Sequence, residues 1–211
     1  MKQTAMNRRQ AITVALAGAG ALGAGLPAFA HENPMPEGLR QALERQPDTP
    51  VLGNPDGDVT LVEFFDYNCP HCRTSVPDIA RLIESDPGLR VVLREWPIFG
   101  DDSVAATKVS LAALQQGNYW AFHSNLMAIS GKADEQAALR VAEDIGLDIA
   151  RLRADMESPA VLNHIGHSMQ LGNDMALMGT PSFIAGHEAL FGRQTTQTLA
   201  GLVAKARHDL G

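Results

Sequence analysis

The chain has 211 residues, 45% of them hydrophobic, with 17 basic and 24 acidic side chains and a formal net charge of −7. Setting aside residues 1–30, which hold three basic and no acidic residues, leaves 14 basic against 24 acidic and a net charge of −10. That balance argues against a general electrostatic surface for nucleic acid or anionic lipid, and the length suits one domain with a substantial core that carries an insertion.

Residues 1–30 read as an export signal, with a basic start (Lys2, Arg8, Arg9), an Ala/Gly-rich apolar run from Ala11 to Phe29 and the small-residue pattern Ala28-Phe29-Ala30. Five residues of that run are Gly or Pro and no basic stop-transfer cluster follows, so cleavage after Ala30 is expected rather than a membrane helix. The pair Arg8-Arg9 resembles a twin-arginine signal. A chance pair in an ordinary secretion signal is the alternative, and both lead out of the cytoplasm. No cysteine lies near the cleavage point, so no lipid anchor is expected. Residues 31–57, rich in Pro and charge, are expected to form a leader that packs loosely or makes one short helix around Leu39 to Arg45.

The run from Asp58 to Asp66 (DVTLVEFFD) is β-branched and aromatic, with Asn54, Pro55 and Gly57 before it, and reads as a buried strand. Both cysteines of the chain, Cys69 and Cys72, follow directly. Val76, Ile79, Ala80, Leu82 and Ile83 then recur at helical spacing, which puts the pair at a strand-to-helix junction. A second strand, Leu89 to Trp96, completes a β-α-β unit expected to be parallel. From Ser103 to Met178 the pattern is helical, in four or five segments that open at Ser or Asp and close near Gly. A strand at Ser182 to Ala185, a turn at Gly186-His187, a strand at Ala189 to Phe191 and a helix from Thr196 to Asp209 end the chain. Trp96, Tyr119 and Trp120 are expected in the core or at an interface between its parts.

Three chemistries compete for the cysteine pair. A staple closing so short a loop removes little entropy from the unfolded chain. A zinc site needs four ligands, and with no further Cys present and His71 lying between the thiols, no metal site is expected. Reversible dithiol chemistry suits a CxxC pair beside a β-α-β unit. The first turn of a helix stabilises a thiolate, which makes Cys69 the expected exposed nucleophile and Cys72, one turn inside, the resolving thiol. Pro70 fits the first helical position. His71 can donate a hydrogen bond or a positive field to the Cys69 thiolate, favouring the reduced form and so an oxidising disulfide; a solvated histidine without a role is the alternative. Glu63 shares a strand face with Leu61 and Phe65, so its carboxyl is expected to be buried, raised in pKa and able to exchange the Cys72 proton. The alternative is a strand-end charge reaching solvent.

Taken together, FFDYNCPHC followed by a helix, the helical insertion and GTPSFIAG before the last hairpin resemble the DsbA type of thioredoxin-fold protein, the bacterial periplasmic disulfide oxidases, over about Val51 to Leu210. The resemblance implies an α/β thioredoxin fold with an inserted helical domain, the thioredoxin-like part at 58–100 and 179–211 and the insertion at 101–178. It implies that Thr180-Pro181 is a cis peptide packed against the dithiol, in a loop that binds substrate backbone as an added strand. It implies no cofactor, reduced or unfolded exported proteins as substrates, and a DsbB-like, quinone-linked membrane protein as the reoxidising partner. Thr180 before the proline resembles disulfide isomerases and some oxidase relatives, whereas the mature chain is expected to lack room for a separate dimerisation domain. Isomerase or reductase action is therefore one alternative function. Another, suggested by VLGNPDGDVTLVEFFDY, is Cu(I) binding in a copper-tolerance relative, with Met156, Met169, Met175, Met178, His164 and His167 as candidate helpers.

Overall fold

The computed structural model describes residues 34–47 and 49–211; the export signal and its cleavage point lie outside the described residues. The elements run α1 (Glu37–Glu44), β1 (Val51–Gly53), β2 (Val59–Phe65), α2 (Pro70–Ser85), β3 (Leu89–Glu95), α3 (Asp101–Leu114), α4 (Tyr119–Ala128), α5 (Glu135–Asp144), α6 (Ile149–Asp155), α7 (Pro159–Asp174), β4 (Ser182–Ala185), β5 (Glu188–Phe191) and α8 (Thr196–Leu210). The strands form one sheet in the order β1-β3-β2-β4-β5. β2 and β3 are parallel, joined by α2, with Glu63 opposite Leu93 and Phe65 opposite Glu95. The other pairings are antiparallel.

Every residue of β2 and β3 is buried, because helices cover both faces of the sheet. On one face Leu61, Phe65, Val91 and Leu93 pack with α2, α8 and the helices of the insertion. On the other, Val62, Phe64, Val92 and Trp96 pack with Leu43 of α1 and Leu171 of α7. Burial of such side chains contributes about 1.5–3 kcal/mol each. The last helix of the insertion thus closes the sheet's second face. Gly172 permits the approach, since a Cβ there would meet the Trp96 ring at 2.7 Å.

Of the two expectations for the leader, a loose segment or one short helix, the helix is found. Val51–Gly53 is also a strand, paired with Val92, Val91 and Arg90 of β3. Two arginines of β3 explain why α1 stays attached: Arg90 donates to Glu44 O at 2.7 Å, and Arg94 donates to Ala42 O and to Leu43 O. These are carbonyls that the end of a helix leaves without intrahelical partners. Trp96 and Tyr119 are buried as expected. Trp120 is not: it is 36% exposed, with one face stacked on His123 at 5.6 Å.

Candidate active site

β2, the central strand, runs out at Phe65 into a turn from Asp66 to Cys69, closed by the Cys69 amide donating to Asp66 O at 3.1 Å. Cys69 is the N-cap of α2 and Pro70 occupies its first turn, where a missing N–H leaves no bond unmade. The Cys72 amide donates to Cys69 Sγ at 3.4 Å. Both cysteines are thiols, and the Cys69 thiol donates to Thr180 O at 3.2 Å. The Thr180-Pro181 peptide is cis and Pro181 is buried. One expectation is corrected here: Cys69 is not exposed. With the loop before β4 lying against its sulfur, only 2% of the residue reaches solvent.

The two sulfurs are driven apart electrostatically. A hydrogen bond from the Cys72 thiol holds Cys69 down at about 6, and with smaller contributions from the Thr180 side chain and the backbone N–H groups of Cys72 and His71 it outweighs burial. Burial pushes Cys72 up, and the hydrogen bond to Cys69 and the nearby Glu63 carboxylate push it further. Glu63 lies beneath the pair, 2% exposed, and burial with the charge of Cys69 raises its carboxyl to about 8. The His71 ring is exposed, and it is the His71 amide that reaches Cys69 Sγ.

The structure also brings in residues that the sequence reading passed over. Asp66 accepts from the Asn68 amide at 2.7 Å, from Ser103 Oγ at 2.8 Å and from the Phe99 amide at 3.0 Å. The Asn68 side chain pairs with the Ala133 backbone like a strand, donating to its O at 3.0 Å and accepting from its N at 2.8 Å. Arg73 donates to Tyr67 O at 2.7 Å and to Gly131 O at 2.7 Å. The turn that delivers Cys69 is thereby tied to the insertion. The one available signal was the polar pair Asp66 and Asn68 flanking an aromatic residue at a strand end, a turn signature.

The candidate copper helpers do not gather at the thiols. Met156 is in the core shared with α3 to α6, Met169 and Met175 pack on the Trp96 side of the sheet, and Met178 is 84% exposed. Among the described residues no group of three or more His, Cys, Asp or Glu is placed to hold a metal ion.

With the geometry in hand, comparison with known proteins is decisive: the model of the DsbA-like thioredoxin domain matches residues 60–204. The chain belongs to the DsbA-like thioredoxin family. A thioredoxin-like oxidoreductase from Silicibacter pomeroyi superposes with a TM-score of 0.78 at 48% identity, covering 80% of this chain and 98% of that one. The thiol:disulfide interchange protein DsbA of Bordetella pertussis is 28% identical over 173 residues, 78% of each chain. A Na(+)/H(+) antiporter, NhaA 3 of Salinispora tropica, is 27% identical over 158 residues, 74% of this chain but 24% of the antiporter. The DsbA-like chain thus spans about a quarter of the length of the antiporter relatives it matches. Among the described residues no helix is long and apolar enough to cross a membrane.

Proposed function

We propose that the protein works outside the cytoplasm, in the periplasm, as a thiol:disulfide oxidase that donates a Cys69–Cys72 disulfide to exported proteins. The observation that carries this reading is the unequal treatment of the two sulfurs: Cys69 is favoured as an anion at about 6 and Cys72 strongly disfavoured. A substrate thiolate attacks Cys69 Sγ, the bond between the cysteines breaks, and Cys72 leaves with the electron pair and takes a proton from Glu63. A second substrate thiolate then attacks the substrate sulfur of the mixed disulfide, and Cys69 leaves as a thiolate. The substrate dithiol is oxidised and the cysteine pair reduced by two electrons. A low-pKa leaving group drives this step forward, which makes the disulfide oxidising.

Thr180 and Pro181 supply the backbone against which an extended substrate segment pairs, and the exposed side chains Met178 and Phe99 offer apolar contact near the turn to unfolded chains. Pro70 fixes the first turn of α2, and the His71 ring adds positive field at the solvent side when protonated. The pattern of residues 1–30 supports export, and a quinone-linked membrane partner, DsbB-like, restores the disulfide. Equilibration with glutathione tests the direction of transfer. An equilibrium that leaves the pair reduced at glutathione ratios that keep ordinary structural disulfides oxidised supports the oxidase; a pair that stays oxidised there contradicts it.

A further inference from the structure

Behind the turn that presents Cys69 lies a buried polar cluster that the disulfide chemistry above does not use. Ser110 Oγ donates to Glu95 Oε1 at 2.7 Å, and Tyr119 OH donates to the same oxygen at 2.9 Å. Tyr67 OH lies 2.6 Å from Ser110 Oγ and 3.2 Å from His123 Nδ1. Each hydroxyl owns one proton. Because the Ser110 proton is committed to Glu95, the short Tyr67–Ser110 contact takes the Tyr67 proton, and His123 must then donate Nδ1–H to Tyr67. Every donor in the chain points towards Glu95. Burial holds the His123 ring neutral, down at about 3, and raises the Glu95 carboxyl to about 8, so near neutral pH Glu95 is an uncharged acid. Its Oε1 takes both hydrogen bonds, the Thr107 hydroxyl of α3 faces the same carboxyl, and buried Oε2, with no partner within hydrogen-bond geometry, is the oxygen left to carry the proton. Asp66 is a further carboxylate whose charge opposes ionisation of Glu95, and His164 of α7 accepts the Glu95 amide through Nε2 at 3.3 Å.

Tyr67 is the second residue of the Asp66–Cys69 turn and is fully buried. We propose that Glu95 is a positioning residue of the redox centre: as the fixed acceptor at the end of this chain it anchors Tyr67, and so holds the turn that sets Cys69 at the mouth of α2. The proposal rests on Cys69 being the attacked sulfur. It predicts that the geometry which stabilises the Cys69 thiolate loosens when the chain is cut, although none of its hydrogen bonds reaches either sulfur.

The test compares alkylation of Cys69 against pH in the reduced parent protein and in Glu95→Gln, Glu95→Leu and Tyr67→Phe. Gln presents a carbonyl oxygen in the place of Oε1 and an NH2 group in the place of the protonated Oε2, so the acceptor at the end of the chain is kept and its profile should stay near the parent's. Leu and Phe should move the half-maximal pH upward, and a rise of one unit from about 6 cuts the thiolate fraction at pH 6 about fivefold. Folding of each variant is checked by near-ultraviolet circular dichroism, with Tyr67→Phe retaining the ring that packs on Phe65 at 5.2 Å should Glu95→Leu not fold. Nitrogen chemical shifts of His123 should report the Nδ1–H tautomer. Folded variants with the parent's profile, or a His123 proton on Nε2, overturn the positioning role and leave the oxidase reading standing. An ordinary thiol profile in the parent itself removes both.

Discussion

A carboxyl group in the middle of a fully buried strand has to have a use or a partner. For Glu63 the use we propose is proton supply to the thiols: its raised pKa, near 8, would keep a proton available next to a sulfur that must gain one on leaving. Glu63→Gln keeps the shape and loses the exchangeable proton. The single-turnover rate of disulfide transfer to a reduced peptide should fall about a hundredfold, the low end for a lost general acid, while Cys69 still alkylates at low pH; an unchanged transfer rate would remove Glu63 from the reaction. Glu63 was legible in the sequence because alternation put it on the face of Leu61 and Phe65. Glu95 carries the same signature in LRVVLREW, yet its meaning depends on hydroxyls of α3 and α4 that no local pattern links to β3. Asn68 and Arg73 were illegible for a related reason, since their partners are backbone groups some sixty residues away in the chain.

At the level of elements, the helices of the insertion could be read because their ends are encoded locally. Asp134, Asp148 and Ser158 each accept from the amide three residues on, as capping residues should. β1 could not: three residues show no alternation, and its existence depends on the edge that β3 offers. The fully buried Arg94 is the other element-level surprise, with burial pulling its guanidinium down to about 10. The carbonyls of α1 compensate that burial. Replacing Arg94 by Met leaves buried carbonyls unpaired at about 1–3 kcal/mol each, so amide exchange in α1 should accelerate well before that of β2. Uniform acceleration across the sheet would show instead that Arg94 supports the whole core.

For the whole molecule, the buried acids and the activated thiol pull the pH dependence of stability in opposite directions. Glu63 and Glu95 have folded-state pKa values near 8 against ordinary values of 4.5, so the folded chain binds more protons between those limits. Their contribution is present at low pH and lost as pH rises through 8. Cys69, down from 9.0 to about 6, does the reverse in the reduced protein alone, its contribution being present above 9 and lost as pH falls through 6. In the oxidised protein the Cys69 charge is absent and burial alone raises Glu63, and His123, held down at about 3 from 6.5, offsets one acid below pH 6.5. Denaturant unfolding should therefore show stability falling most steeply from about pH 6.5 towards 8, at up to about 1.4 kcal/mol per pH unit for each acid, and a shallower fall in the reduced protein. Parallel curves would mean that the thiol gains nothing from the fold. The α/β class, the central strand-to-helix junction and the late hairpin were all legible from periodicity and turn residues, whereas closure of the second sheet face by α1 and α7 was not, since it needs Gly172 and Trp96 brought together from distant segments. The account as a whole depends on Cys69 being an anion near neutral pH. The most direct measurement is the rate of alkylation of Cys69 in the reduced protein across pH 4 to 10: a half-maximal rate near pH 6 is expected, and one near 8.5, where an ordinary thiol ionises, would contradict it.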